Sequence, residues 1–374
     1  MRSGSLTTKN TYPMHRTMTS YLPDAYLKMD APFLHDRIEE KRKAYGQDLI
    51  ILGHYYQRHD VIRHSDFQGD SLDLSAKAAA SDAKHIVFCG VHFMAESAEI
   101  LSQNDQTVYL PNLFAGCPMA DMGDSFDVEH AWQEITSICH EKIIPITYMN
   151  STAALKAFCG KYEGSVCTSS NAAPLFKFYY KNIANKIFFF PDEHLGRNTA
   201  LQMGLDPKDI IVWDPTLELG GNTQEQIDKA RMILWKGYCH VHTFFTPGHI
   251  KVLKEKYPDA LVVVHPECTR EVVEMADACG STSFIKRFVE EAPSGSTIIV
   301  GTEINHAINL DIWNEDKKVI GLARSFCPNM YKINLQNLCW TLDHLETPDV
   351  HRITVPDSIK SHAKHALHRM LEIK

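Results

Sequence analysis

The 374-residue chain has no apolar run approaching the roughly 18 residues that span a membrane. Residues 1–30 lack the apolar centre of a secretion signal. Both absences lead us to expect a cytoplasmic protein that meets no membrane. Basic residues form no stripe or run and the net charge is −8, so no nucleic-acid partner is expected. Cysteine is plentiful, at ten residues, yet the short local spacings that close a structural zinc site are missing. Ten cysteines in a cytoplasmic chain point to reduced thiols used for metal binding or catalysis, not to a disulfide framework. An apolar fraction of 44% and a charged fraction of 22% are those of a soluble globular protein. A chain this long exceeds one ordinary core and predicts two or three domains.

Residues 1–30 are polar and aperiodic and read as an extension. A charged amphipathic helix is predicted around Pro32–Tyr45, after which short apolar runs alternate with helical patterns. Predicted strands are Asp48–Leu52, His85–Cys89, Thr107–Leu110, Ile143–Tyr148, Lys186–Phe190, Ile210–Trp213, Tyr238–His242, Ala260–Val264, Ser296–Gly301 and Lys318–Gly321. Predicted helices between them include Leu72–Ala80, Met94–Gln103, Val128–His140, Gln224–Lys236 and Arg270–Ala278. This alternation predicts an α/β protein with parallel sheets covered on both faces. Such sheets bind ligands at the carboxyl ends of their strands. Polar residues gather at those ends: His54, His92, Asn150, Asp192, His242, Glu267 and Glu303.

Three cysteines stand far apart: Cys117 in GCPMAD, Cys239 in GYCHVH and Cys327 in FCPNM, separated by 122 and 88 residues. Brought together, three thiolates would form a metal site, and thiolates are the usual ligands of iron–sulfur clusters. A cubane held by three cysteines keeps one iron free of protein ligands, and that iron can act as a Lewis acid. The spacings also hint at internal repetition. His54 ends a strand, Ser71 follows after 17 residues and Cys117 after 46 more; His265, Thr282 and Cys327 stand at 17 and 45. The middle third is looser, with Tyr148, Ser169 and Cys239 at 21 and 70. The expectation is three similar three-layer α/β/α domains around a pseudo-threefold axis, with the active site at their junction.

Ser71, Ser169 and Thr282 each precede a helical run. They read either as N-caps or as anion-binding turns for carboxylates or a phosphate. His54, followed by Tyr55 and Tyr56, and the pair Tyr148 and Asn150 can orient a substrate or move a proton, whereas Met149 reads as packing. Glu267, directly after a buried strand, reads as a general base with His265 orienting substrate, or as a helix-terminal carboxylate. Cys167 and Cys268 are rival ligands. His242 is either a fourth ligand or a hydrogen-bond donor to whatever binds at the cluster. The other cysteines read as small core residues.

Taken together, GHYYQ (53–57), GDSLDLS (69–75), GVHFMAE (90–96), GCPMAD (116–121), YMNSTAALKA (148–157), CTSSNA (167–172), PDEHLG (191–196), GYCHVH (237–242), HPECTREVV (265–273) and CPNMYKINL (327–335) resemble the quinolinate synthase family. The resemblance implies an enzyme of NAD biosynthesis with three similar α/β/α domains and one [4Fe–4S] cluster held by Cys117, Cys239 and Cys327. It implies condensation of iminoaspartate with dihydroxyacetone phosphate to quinolinate, with loss of phosphate and two waters. It also implies transient contact with the enzyme that oxidises L-aspartate. By the same match His54, Ser71, Tyr148, Met149, Asn150, Ser169, His265, Pro266, Glu267 and Thr282 are substrate-binding positions. Tyr56 and Glu267, with His54, are the catalytic set, and His242 lies beside the cluster. Arg324 stands where some members carry a cysteine three residues before the third ligand, so no disulfide switch is expected there. The wide first gap marks a long form with extra chain around residues 190–235. The expected domains are residues 31–122 with 322–374, residues 123–245, and residues 246–321, after an extension over 1–30. Other readings are a different [4Fe–4S] hydro-lyase acting on a hydroxy acid, a zinc-stabilised or cluster-sensing protein, and a cysteine hydrolase using Cys167 or Cys268.

Overall fold

The computed structural model describes residues 22–348 and 350–373. Thirteen strands occur among them: β1 Leu49–His54, β2 Phe67–Gly69, β3 His85–Cys89, β4 Thr107–Tyr109, β5 Ile143–Tyr148, β6 Ser165–Cys167, β7 Lys186–Phe190, β8 Ile210–Trp213, β9 Met232–Trp235, β10 Leu261–Val264, β11 Ala278–Cys279, β12 Thr297–Gly301 and β13 Lys318–Gly321. They form three sheets in the orders β2-β1-β3-β4, β6-β5-β7-β9-β8 and β11-β10-β12-β13. Every pairing within them is parallel. The central strands are buried along nearly their whole length, as sequences such as LIILGH, KIFFF and TIIVG require when helices cover both faces.

The α/β architecture with three parallel sheets therefore stands as the sequence predicts. The same order recurs in each sheet: the unit's first strand lies between its second and third, and its last strand (β4, β9 or β13) pairs beyond the third. The middle sheet carries one additional edge strand, β8, within the extra chain expected around residues 190–235.

Several local expectations change. The predicted strand Tyr238–His242 is a loop and a single helical turn, His240–Thr243, with Cys239 as N-cap. The predicted helix Gln224–Lys236 ends at Lys229, and its second half is the strand β9. Ala230 turns the backbone to extended geometry, and the run Met-Ile-Leu-Trp is then buried in the sheet. The helix expected over Arg270–Ala278 stops at Met275, because Ala278 and Cys279 pair with β10. Three edge strands of two or three residues, β2, β6 and β11, were too short to carry an alternation. Within the expected N-terminal extension, Asp24–Leu27 form a helical turn whose Tyr26 donates a 2.6 Å hydrogen bond to Asp343; residues 1–21 lie outside the described residues.

The hydroxyls read as possible N-caps are not the caps. Asp70 caps helix 71–79 through bonds from the amides of Leu72 and Asp73, and Ser281 caps helix 282–291. Ser71 and Thr282 each stand one place later. Their hydroxyls make no hydrogen bond among the described residues.

The sequence grouped residues 322–374 with the first unit. Helix 335–343 packs against helix 31–45 of that unit, and Asp343 takes a 2.7 Å bond from Arg37. Helix 357–372 lies against helix 153–161 and β6 of the second unit. There Arg369 donates to the Gly164 carbonyl at 2.7 Å and Asn171 to that of Met370 at 3.0 Å. Gly160 permits this approach, since a Cβ on it would lie 1.8 Å from the His362 carbonyl oxygen.

Candidate active site

The first strand of each unit delivers one polar residue at its carboxyl end. His54 closes β1, Tyr148 closes β5, and His265 directly follows β10. All three are buried. His54 Nδ1 accepts from the Tyr56 amide at 3.1 Å, and its ring meets that of Tyr56 edge-on at 4.6 Å.

Glu267 stands at the centre of a buried network. Its Oε1 accepts from the Tyr148 hydroxyl at 2.6 Å and its Oε2 faces His242 Nδ1 at 3.0 Å. His242 Nε2 lies 3.2 Å from the Thr302 hydroxyl and 3.3 Å from that of Tyr56, and those two hydroxyls are 2.7 Å apart. The ring of His242 stacks on that of His265 at 4.4 Å, and His265 Nε2 reaches the Ser169 hydroxyl at 3.2 Å. Burial alone would raise the Glu267 carboxyl. The neighbouring His242 and His265 and the bonds from His242 and Tyr148 outweigh it and hold the group at about 2. Burial lowers His54 and His265 to about 3, so both rings are neutral at physiological pH. Burial, reinforced by the charge of Glu267, pushes Tyr56 and Tyr148 well above the usual phenol range. An ionised, buried carboxylate facing the site is a candidate general base.

The three distant cysteines share one local geometry. Each is the extended N-cap of a single-turn helix: Cys117 before 118–121, Cys239 before 240–243, Cys327 before 328–331. All three are free thiols. Burial raises each of them. The Cys239 thiol is raised further by Glu267, Cys117 and Cys327, and that of Cys117 by Cys327, so the three stand within electrostatic reach of one another. Backbone amides of Met119 and Ala120 bond to Cys117, and those of Asn329 and Met330 to Cys327, which favours thiolate sulfur. Among the described residues, candidate ligand atoms of Cys239, His242 and Glu267 all lie within 4.8 Å of one another. Thiols aimed at by amides and adjoining an imidazole and a carboxylate form a donor set fit for a soft metal centre.

Of the remaining predicted residues, Ser169 and Pro266 line a cleft of about 600 Å³ whose walls also include Tyr55, Asp70, Lys286 and Arg287. At its mouth Ser170 donates to Asp70 and Ser283 to Asp73, joining the three units. The Asn150 Oδ1 is buried without a partner among the described residues. Met149 is fully buried, its amide bonded to the Cys167 carbonyl, so its side chain packs in the core. Of the rival thiols, Cys167 is fully buried beside Tyr148 in the sheet, and Cys268, next to Glu267, faces the Gly301 carbonyl at 3.7 Å.

Two residues were missed in the sequence. Asn198 donates to the carbonyls of Pro266 at 2.9 Å and Cys268 at 2.8 Å, fixing the turn that carries Glu267. Thr302 joins Tyr56 to His242. Asn198 sits inside a helix, where a polar residue on a buried face is the available signal. Thr302 reads as an ordinary strand terminus.

Parallel α/β units that converge on a buried acid–base network, with the Cys239, His242 and Glu267 group compatible with metal binding, are the architecture of an enzyme. The sequence profile of quinolinate synthetase A protein matches residues 36–372. The chain is 47% identical over 355 residues to the quinolinate synthase of Herpetosiphon aurantiacus, covering 93% of this chain and 94% of that one. It is 44% identical over 366 residues to that of Corynebacterium glutamicum, covering 96% and 93%. With that of Acidobacterium capsulatum the identity is 47% over 359 residues, covering 94% and 96%. The chain belongs to the quinolinate synthetase A family and is an enzyme of the quinolinate synthase type, acting in NAD biosynthesis. No helix among the described residues is long and apolar enough to cross a membrane.

Proposed function

We propose that the enzyme condenses iminoaspartate with dihydroxyacetone phosphate and releases quinolinate, phosphate and two waters. The observation that carries the mechanism is the Glu267 carboxylate, held ionised by Tyr148 and His242 within 4.8 Å of the Cys239 sulfur. Cys117, Cys239 and Cys327 would hold one [4Fe–4S] cluster, whose iron without a protein ligand supplies a Lewis acid for a carboxylate or departing hydroxyl.

Glu267 removes the proton that enolisation and dehydration require, and its low affinity for protons is offset by the position of the base beside the substrate. Tyr56 and Tyr148, protonated throughout the physiological range, return protons to leaving hydroxyls. Neutral His54 and His265 orient substrate oxygens without adding charge. Ser71, Ser169 and Thr282 stand at or just before helix starts, where free amides favour carboxylates and phosphate. Asn150 and Pro266 complete the pocket, and Met149 packs behind it. Lys286 and Arg287 at the cleft draw in the anionic substrates. We place the enzyme in the cytoplasm, in transient contact with the enzyme that oxidises L-aspartate.

Anaerobic purification with iron and sulfide analysis, and a quinolinate assay on the same sample, tests this reading. About four irons and four sulfides per chain are expected, with quinolinate formed from the two substrates. A full cluster without quinolinate would instead indicate another hydro-lyase.

A further inference from the structure

Two sequence motifs stand outside the proposed chemistry: HFMAE at 92–96 and the lysine of TAALKA at 152–157. Lysine seldom enters a core without a partner. Among the described residues two lysines are buried, Lys156 and Lys186. Lys186 starts β7, at the end of the strand away from the site; Lys156 lies in the first turns of helix 153–161, just after β5 and Tyr148. Its ammonium donates to the Ser151 carbonyl at 2.6 Å and faces the Phe93 ring at 5.5 Å. The Ser151 hydroxyl donates to the Tyr148 carbonyl at 2.7 Å, and its amide to that of Met149 at 2.8 Å. Helix 92–101 of the first unit reaches the same turn. Glu96 Oε2 accepts from the Ala153 amide at 3.2 Å, and Ser97 Oγ lies 3.3 Å from the Met149 sulfur. At the start of that helix the His92 amide donates to the Ala115 carbonyl at 2.8 Å, two residues before Cys117.

We infer that Glu96 and Lys156 are a pair of positioning residues: one from each unit, they clamp the 149–153 turn and so fix Tyr148 and Asn150 relative to the Cys117 loop. Glu96 holds the end of the turn at Ala153, and Lys156 holds its middle at Ser151. Burial raises the Glu96 carboxyl, but His92, Lys156 and the Ala153 amide outweigh it and keep the group below its ordinary value. Burial lowers Lys156 to about 8 against the pull of Glu96, so the amine is protonated at neutral pH. Each charge supports the other across the interface between units, and loss of either leaves its partner without compensation. Asn150 Oδ1 has no hydrogen bond among the described residues, so its placement depends on the backbone of this turn. The inference rests on Tyr148 and Asn150 as groups that meet substrate, and the experiment separates the two claims.

Lys156→Met keeps the length of the side chain and removes the ammonium; Glu96→Gln keeps the acceptor for Ala153 and removes the charge. Both are compared with Tyr148→Phe and with the Tyr148→Phe/Lys156→Met pair for kcat, KM and iron content. Amide hydrogen exchange is followed along the whole chain without substrate. If the lone carboxylate left by Lys156→Met prevents folding, the Glu96→Gln/Lys156→Met pair, which leaves no charge unpaired, makes the same comparison. Expected in Lys156→Met are a kcat loss of about tenfold or more, KM changed by less than about threefold, and full iron. Exchange should quicken by about tenfold or more at residues 149–153 and stay unchanged elsewhere. Glu96→Gln should show the same pattern to a smaller extent, and the pair with Tyr148→Phe should be no slower than Tyr148→Phe alone. Wild-type kcat in Lys156→Met, a kcat loss with unchanged exchange at the turn, faster exchange throughout the chain, or multiplied effects in the pair with Tyr148→Phe would each overturn the inference. Normal turnover in Tyr148→Phe would instead remove Tyr148 from the reaction, and exchange at 149–153 would then decide the clamp by itself.

Discussion

Tyr148 and Glu267, 119 residues apart in the chain and on different sheets, meet in a 2.6 Å hydrogen bond. That bond and the 3.0 Å contact to His242 use one oxygen of the carboxylate each. Glu267→Gln keeps the size of the side chain and one acceptor oxygen but has no proton affinity to offer. Turnover should fall by about 10² or more while iron content stays unchanged. Kinetics and iron analysis on one preparation decide it, and normal turnover would end the role of Glu267 as base.

The thiol assignment makes a prediction of opposite type. Replacing Cys117, Cys239 or Cys327 by Ser exchanges a ligand for a hydroxyl that barely ionises in a buried site. Iron should be largely lost and turnover with it. Cys167→Ser and Cys268→Ser alter buried thiols outside the Cys239, His242 and Glu267 group, and both should keep full iron. Full iron and turnover in any of the first three variants would remove that residue from the ligand set.

How much of this could be read from the chain depends on run length and on what a residue faces. Runs of four to six buried apolar residues, such as β1, β7 and β12, announce themselves because both faces of a parallel strand are covered. Strands of two or three residues, β2, β6 and β11, exist only through their neighbour and carry no pattern of their own. Met232–Trp235 fits a helix as well as a strand until Ala230 is seen to break the helix. The residues proposed for chemistry were legible where they end strands in unusual sequences, as with Glu267 after three valines. Thr302 and Asn198 were not, because a threonine after glycine and an asparagine in a helix have common structural uses. Their importance lies in partners more than 50 residues away.

Gly160 gives a stability test of the fold independent of the chemistry. A methyl group there would meet the His362 carbonyl at 1.8 Å, so helix 357–372 would have to shift off helix 153–161. Gly160→Ala should cost about 1–3 kcal/mol, the usual range for overpacking, with a lower denaturant midpoint and faster proteolysis at the C-terminal helix. An unchanged midpoint would mean that this helix does not dock there in solution.

His351 provides the pH test, away from the metal-binding centre. Its ring is buried, Nδ1 lies 2.7 Å from the Thr341 hydroxyl, and burial with the nearby His344 lowers it from 6.5 to about 4. Between those values the unfolded chain binds a proton that the folded protein refuses. The stability His351 provides is therefore fully present above pH 6.5 and drains away as pH falls toward 4, at about 1.4 kcal/mol per pH unit. The residue sits in the left-handed region at φ 55°, which asparagine tolerates better than most side chains. His351→Asn should thus fold and lower stability at neutral pH through lost packing on Trp340. It should also flatten the fall in unfolding free energy between pH 6.5 and 4 by about one proton. Denaturant unfolding at several pH values measures that slope directly. A slope equal to that of the unaltered protein would mean that the ring takes up its proton as readily folded as unfolded.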